Sequence, residues 1–189
     1  MKPDTRIAIL TIADRLLQER GYNGFSYQDI AKELGIRKAS LHYHFPGKAD
    51  LGFAVTDLYA QRIAQTLRTA DQQNLGPWQK LDVFVRPYLQ LIQKRASMSM
   101  TASLAADYTA LPEPMQTRAG EFYTVFHDWL THVLEQGRTA GAFRFATDPS
   151  VKAETLLATL EGAVLIARVR PEPLNLKGLI ADIKTSLGG

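Results

Sequence analysis

Apolar residues recur at helical spacing along nearly the whole chain, and no segment has the alternating pattern of a half-buried β-strand. In the first segment they follow the i, i+3, i+4, i+7 rule and line one face of a helix that ends at Gly21: Ile9, Ile12, Ala13, Leu16 and Leu17. The run "GYNG" then supplies the residues that a helix end and a turn require. The pattern therefore begins with one amphipathic helix and a glycine turn.

Two shorter helices are predicted next. Ser26 and Asp29 have the spacing of a capping-box variant, so a second helix begins there and ends at Gly35. Its buried face is predicted to hold Tyr27, Ile30, Ala31 and Leu34. The third helix lies in "GIRKASLHYHFPGK", from about residue 37 to 45, and stops before Pro46-Gly47. Two short helices joined by a glycine turn, with a helix before them, form the helix-turn-helix pattern.

The rest of the chain is also predicted to be helical, with helices at 48–70, 77–95, about 97–108, 113–138, 150–169 and about 174–187. The expected fold class is all-α. We expect two domains, a helix-turn-helix domain over 1–47 and a second all-helical domain over 48–189.

The third helix has a face suited to the DNA major groove. At 100° per residue Leu41 and Phe45 point to the core, while Ala39, Ser40 and Tyr43 point outward with His42 beside them. Arg37 and Lys38 stand where the helix begins, and Lys48 opens the next helix. Small residues allow close approach to DNA, and hydroxyl groups and cations contact phosphates and base edges. This face predicts binding to double-stranded DNA.

Charge and composition limit the kinds of site and partner that the chain can have. Residues 1–48 hold eight Lys/Arg and five Asp/Glu, while the remainder holds fourteen of each, so the excess of positive charge lies in the predicted DNA-binding domain. The absence of cysteine excludes disulfides and cysteine-ligated zinc. No apolar run is long enough for a membrane span, and we expect a cytoplasmic protein without a membrane partner.

The segment "GYNGFSYQDIAKELGIRKASLHYHFPGKADL" resembles the DNA-binding region of TetR-type transcriptional regulators. The positions that match the family pattern are Lys38, Ala39, Ser40, Leu41, Tyr43, Phe45, Lys48 and Leu51. The resemblance is specific over about residues 6–55, and beyond them only the length and the helical layout match. It implies a DNA-binding regulator, with repression by a homodimer on a palindromic operator as the expected activity.

The resemblance also implies roles for individual residues. Arg37, Lys38 and Ser40 would lie in or beside the major groove, and Tyr43 and Lys48 would bind phosphates. Ser26 or Tyr27 would touch the DNA backbone from the supporting helix. Two residues depart from the family pattern, since His42 stands where Tyr is more frequent and Ala39 where Gly is frequent. The role of His42 is the most open of these.

The second domain is expected to bind a small apolar or aromatic effector, whose identity the sequence does not give. Aromatic and methionine side chains in the central helices are the candidate lining, although aromatic residues at helical spacing are more often plain core. The candidates are Phe84, Tyr88, Met98, Tyr108, Phe122, Phe126 and Trp129, with Met100 and Tyr123 also considered. The last two helices are the candidate dimer interface, through Leu157, Ala158, Gly162, Leu165, Ile180 and Ile183. The alternative for these residues is intramolecular core.

Other classes of function have less support. A metal site at His42 and His44 is disfavoured because residues two apart on a helix diverge, and His44 is expected to pack beneath the helix. His127 and His132 are five apart, which is not a ligand spacing either. An enzyme with a histidine base lacks any supporting motif, so we expect no catalytic residues and no cofactor. A dimeric DNA-binding protein without an effector remains the alternative.

Overall fold

The structure is a computed structural model that describes residues 4–188. Over that range every regular element is helical, as the periodicity predicted, and the order of elements matches the prediction. The helices are α1 (Thr5–Arg20), α2 (Tyr27–Leu34), α3 (Lys38–His44), α4 (Lys48–Gln72), α5 (Pro77–Lys94), α6 (Met100–Ala106), α7 (Glu113–Thr139), α8 (Pro149–Val169) and α9 (Leu176–Thr185), with a short 3-10 helix, Tyr108–Ala110, after α6.

Local chemistry sets the ends of these helices. Asp4 caps α1 by accepting the N–H of Arg6, and Asp148 caps α8 by accepting the N–H of Ser150. The predicted capping box of α2 is present, since the Asp29 carboxylate accepts hydrogen bonds from both the N–H and the hydroxyl of Ser26. These hydrogen bonds lower the pKa of Asp29, the side-chain bond from Ser26 being the largest cause.

The chain forms two compact units. The first contains the described residues up to Ile63 together with Ser97–Phe122, so α6 and the start of α7 pack with the N-terminal helices. The second contains Ala64–Ala96 and the described residues from Tyr123 onward. Both α4 and α7 therefore run through both units. The division into functional domains at residue 47 stays a prediction.

The core of the first unit is built on the faces that the sequence predicted. Ile9, Ala13, Leu16 and Leu17 of α1 are at most 1% exposed. From later in the chain α6, α7 and the segment between them add apolar side chains to the same cluster: Met100, Leu104, Leu111, Met115 and Phe122. Burial of this continuous apolar surface is the main stabilisation of the unit.

In the second unit α5 packs on α8, and the buried side chains of both helices face each other. Arg95 ends α5 with a positive φ of 59°, and its guanidinium donates to the main-chain carbonyls of Ala167, Arg170 and Pro171 at the end of α8. These bonds satisfy carbonyls that a helix end leaves without an internal partner. No helix within residues 4–188 is both long and apolar enough to cross a membrane.

Candidate nucleic-acid interface

The outward face of α3 lies where the helical rotation predicted. Leu41 is fully buried and Phe45 is 3% exposed, so these two side chains hold α3 against its support. Tyr43, by contrast, is 86% exposed, and Ala39 and His42 are also exposed while Ser40 is half-buried. An aromatic side chain this open to solvent buries little of its surface within the single chain. The face therefore offers a hydroxyl, an imidazole and small side chains to an external partner.

Cations flank this face. Arg37 and Lys38 are exposed at the start of α3, and no carboxylate within residues 4–188 lies close enough to pair with either. By contrast Arg15, another cation of the first unit, is neutralised by Glu19 and Glu33. Arg37 and Lys38 therefore place positive charge beside the exposed face of α3, as a DNA-binding surface requires.

Arg6 is a cation that sequence analysis did not place. Its guanidinium carbon lies 5.2 Å from the ring centroid of Phe45, next to the end of α3, although Arg6 belongs to the first turn of α1. No spacing rule relates residues 6 and 45, so only the tertiary structure could show this proximity.

The two histidines of α3 have different surroundings. The Nδ1 atom of exposed His42 lies 3.1 Å from Pro46 O, and its ring is 4.8 Å from that of Tyr27. His44 is half-buried and meets the ring of Tyr43 edge-on, with 5.2 Å between centroids. The divergence predicted for residues two apart on a helix is thus seen in their contacts. Within residues 4–188 no group of three His, Asp or Glu side chains could hold a metal ion.

Tyr27 and Ser26, the candidates on the supporting helix, differ in exposure. Ser26 is exposed, with its hydroxyl bonded to Asp29. Tyr27 is 5% exposed, and its hydroxyl lies 2.8 Å from Phe45 O and 2.7 Å from Gly47 O. Burial, with a smaller contribution from the charge of Asp50, raises the pKa of Tyr27 to about 12. Tyr27 therefore ties α2 to the α3–α4 turn, and its contact with DNA stays a prediction.

Lys48 is directed inward in the same way. Its ammonium donates to the carbonyl of Phe25 and lies 4.8 Å from the ring centroid of Tyr22 and 4.6 Å from that of Phe25. Burial lowers the pKa of Lys48, and the charges of Asp107 and Asp29 oppose that shift. The phosphate contact predicted for this residue stays a prediction, and in this conformation the ammonium is occupied within the protein.

The seven candidate effector-binding residues fall into different units. Phe84, Tyr88, Phe126 and Trp129 form an aromatic cluster in the second unit, in which Phe84 stacks on Trp129 and meets Phe126 edge-on. Met98, Tyr108 and Phe122 belong to the first unit, where Phe122 is core and Tyr108 is exposed. A separate cleft of about 120 Å³ between α5 and α9 is lined by none of the seven.

Polar atoms border the aromatic cluster. Trp129 Nε1 donates to the Asp71 carboxylate near the end of α4, and Lys80 Nζ donates to the same group. Burial alone would raise the pKa of Asp71, but these two hydrogen bonds and the charges of Lys80 and His132 together outweigh it, so the pKa is lowered. The hydroxyl of Tyr88 donates to Glu161. The cluster thus combines flat apolar surfaces with a few oriented polar groups.

The candidate dimer residues divide by exposure. Ala158 and Leu165 are exposed on α8, Gly162 and Ile180 are half-buried, and Leu157 and Ile183 are buried within the single chain. A Cβ added at Gly162 would meet no heavy atom within 4 Å. Ile166 and Val169, which are 51% and 81% exposed, extend the apolar face beyond the predicted set. Their helical spacing from Ala158 and Gly162 was the signal that could have found them.

The comparisons with known proteins agree with this geometry. The family model for bacterial regulatory proteins of the tetR family matches residues 9–55, and the model for the tetracyclin repressor-like C-terminal domain matches residues 77–181. The protein therefore belongs to the TetR family of DNA-binding transcriptional regulators.

Three relatives illustrate the match. The TetR regulator of Legionella pneumophila is 31% identical, with a TM-score of 0.86 over 99% of this chain and 100% of that one. The transcriptional repressor NemR of Escherichia coli K12 is 24% identical over 184 residues, which is 96% of this chain and 92% of NemR. AibR, whose structure holds isovaleryl coenzyme A and operator DNA, is 22% identical with a TM-score of 0.73 over 97% of this chain and 98% of that one. This likeness to AibR shows the fold alone.

Proposed function

We propose that the protein is a homodimeric transcriptional repressor that inserts α3 into the major groove of a palindromic operator and is released from it by a small apolar or aromatic effector. The observation that carries this proposal is the exposed face of α3, which is held from beneath by buried Leu41 and Phe45. Arg37 and Lys38 flank this face, and no carboxylate of the described residues pairs with either. Because an operator is chromosomal DNA, we infer that the protein acts in the cytoplasm.

The proposed DNA contacts follow from exposure. Arg37, Lys38, Ala39, Ser40, His42 and Tyr43 are on or beside the open face, where they can reach phosphates and base edges. Ser26, Tyr27 and Lys48 are proposed contacts through the family resemblance, and for Tyr27 and Lys48 binding would require the internal hydrogen bonds to change. Repression as the direction of regulation is supported by NemR, which is named a repressor.

Dimerisation is supported by the apolar outer face of α8. Helix-turn-helix proteins bind paired half-sites about one DNA turn apart, which a two-fold dimer matches. A groove of about 300 Å³ between α8 and the start of α9 is lined by residues that include Ala158 and Gly162 of α8 and Leu179 of α9. A glycine within a helix costs about 1 kcal/mol relative to alanine, and among residues 4–188 no side chain comes within 4 Å of a Cβ added at Gly162. Close approach of a helix from a second protomer would explain why a glycine stands at this position.

An effector response is supported by the aromatic cluster. Trp129 stacks in that cluster and also donates to Asp71 near the end of α4, the helix whose other end follows α3. A ligand that moves Trp129 would act on α4 directly, and by linkage DNA and effector would then weaken each other's binding. The fold of AibR holds both an acyl coenzyme A and DNA, which supports two such sites on one scaffold.

The direct test is a gel-shift titration with the DNA that flanks the protein's own gene, repeated at several salt concentrations. We expect a sequence-dependent shift whose affinity falls steeply with salt. Lys38→Ala should weaken binding several-fold and reduce the salt slope by about 0.9, because one phosphate contact is lost. Lys94→Ala is the matched control, since it removes an exposed lysine from α5 and should change neither quantity. A shift that is independent of sequence would refute the proposal.

A dimeric DNA-binding protein without an effector is the second candidate, and the packed state of the aromatic cluster favours it, since each of its four rings contacts another. A thermal-shift screen of aromatic and acyl compounds separates the two. A true effector at 100 times its dissociation constant stabilises the folded protein by about 2.7 kcal/mol and lowers operator affinity. A complete screen without any such compound would favour the second candidate.

A further inference from the structure

The C-terminal end of α1 is capped by residues from a distant part of the chain. The last carbonyls of a helix have no partner within the helix, and unsatisfied groups there destabilise it. In this protein Gln18 O accepts the N–H of Met98 at 2.9 Å. Leu17 O accepts the hydroxyl of Ser103, a fully buried residue of α6 that lies 86 positions later in the sequence.

Asp107, at the end of α6, completes this arrangement at the turn between α1 and α2. Its carboxylate accepts the N–H of Tyr22 at 2.6 Å and that of Asn23 at 3.4 Å. A Cβ on Gly21 would lie 2.6 Å from the same carboxylate oxygen, and Gly21 has a φ of 77°. Glycine is therefore needed both for the backbone conformation and for the close approach of Asp107. We call Met98, Ser103 and Asp107 the α6 cap.

The same turn is contacted from its other side by the first residue of α4. Lys48 donates to the carbonyl of Phe25, and its ammonium lies against the rings of Tyr22 and Phe25. The five residues from Gly21 to Phe25 are thus held by α6 through Asp107 and by α4 through Lys48. The turn leads directly into the capping box of α2, and α2 supports α3 through the hydroxyl of Tyr27.

We propose that Asp107 is a positioning residue for DNA recognition, which fixes the orientation of α2 and α3 by accepting the main-chain N–H groups of the α1–α2 turn. This proposal rests on the proposed DNA-binding function. In this proposal Asp107 does not contact DNA. Its negative charge by itself would lower the affinity for DNA, because it repels the phosphates. Its removal should therefore weaken specific binding while leaving non-specific binding unchanged or stronger.

Three variants test the proposal in the full-length protein. Asp107→Ala removes the acceptor, and Asp107→Asn makes the same change of charge but keeps an oxygen that can accept a hydrogen bond. Asp148→Ala is the matched control, since this carboxylate also accepts a backbone N–H, at 2.8 Å, but at the start of α8 in the second unit. Each variant is assayed at a temperature where thermal unfolding shows that it is folded.

Asp107→Ala should reduce the ratio of specific to non-specific DNA affinity about tenfold, with an unchanged salt slope, and Asp107→Asn should fall between it and the parent protein. In hydrogen-exchange measurements the amides of Tyr22 and Asn23 should exchange faster in Asp107→Ala than in the parent. Asp148→Ala should alter neither quantity.

The proposal is overturned if Asp107→Ala keeps the parent's specificity ratio, if Asp148→Ala lowers the ratio equally, or if exchange at Tyr22 and Asn23 is unchanged. The last measurement needs no DNA. If the parent protein binds no DNA specifically, the proposed function fails, while the exchange data still report whether Asp107 holds the turn.

Discussion

The outward faces of α3 and α8 differ in the chemistry that each leaves uncovered. On α3 the exposed residues include Lys38, His42 and Tyr43, which are cationic or carry polar atoms, whereas on the C-terminal half of α8 they are the aliphatic residues Leu165, Ile166 and Val169. Both helices bury their opposite faces in the same manner, with Leu41 in one and Leu160 in the other fully covered. The chemistry of the face that each helix leaves exposed therefore indicates what kind of partner binds there. Polar, positively charged surface suits a polyanion, and contiguous apolar surface suits another protein chain.

The test with the largest expected effect compares Leu41, which anchors α3 in the core, with Tyr43 on the exposed face of the same helix. Leu41→Ala should destabilise the protein by about 2–5 kcal/mol, because it leaves a cavity in a close-packed core. Tyr43→Ala, only two residues away, should change the free energy of unfolding by no more than about 0.5 kcal/mol while weakening DNA binding. Urea denaturation and gel shift on both variants measure this. Equal destabilisation by the two changes would show that Tyr43 is packed rather than free to read DNA.

A second test uses pH to probe the support beneath α3. The pKa of Tyr27 is raised to about 12 in the folded protein from an ordinary value near 10, so its protonated form stabilises the fold below pH 10. That stability, about 2–3 kcal/mol for a shift of this size, should be lost as the pH rises from 10 to 12. Urea denaturation at several pH values measures the loss.

The matched variant is Tyr27→Phe, which cannot ionise at this position. It should be less stable than the parent at pH 8, because the hydrogen bonds to Phe45 O and Gly47 O are gone. Between pH 10 and 12 its stability should fall less steeply than that of the parent. If the free energy of unfolding changed with pH in the same way for both proteins, the raised pKa assigned to Tyr27 would be contradicted.

The third test concerns the outer face of α8. Gly162→Leu should raise the dimer dissociation constant at least tenfold, since the new side chain would occupy the space where a partner helix is proposed to approach. Gly120→Leu is the control, because Gly120 also lies within a helix, α7, with no heavy atom within 4 Å of an added Cβ. Analytical ultracentrifugation over a range of concentrations distinguishes them. An unchanged dimer dissociation constant for Gly162→Leu would show that the dimer interface lies elsewhere.

Much of the DNA-binding unit could be predicted from the sequence because its signals are local. The capping box joins Ser26 and Asp29, which are only three positions apart, and the inward positions of Leu41 and Phe45 follow from a rotation of 100° per residue. The motif around Lys38 to Phe45 then indicated the family, which the family models confirm. The individual DNA contacts remain predictions.

The candidate sites of the second half were harder to predict because exposure there depends on which helices meet. The spacing of Leu157 and Ile183 fits an interface and a core equally well, and the fold buries both within one chain. The aromatic candidates had no common motif, and Met98, Tyr108 and Phe122 lie in a different unit from the other four.

The sequence by itself determined the helices, their ends and the polar face of α3, because neighbours along the chain set backbone conformation and periodicity. Only the tertiary structure decided that Lys48 turns toward Phe25, that Tyr27 is buried, and that Asp107 caps a turn 85 positions earlier. These contacts join residues far apart in the chain, and their geometry depends on how whole helices pack. No spacing rule along the sequence can express that dependence.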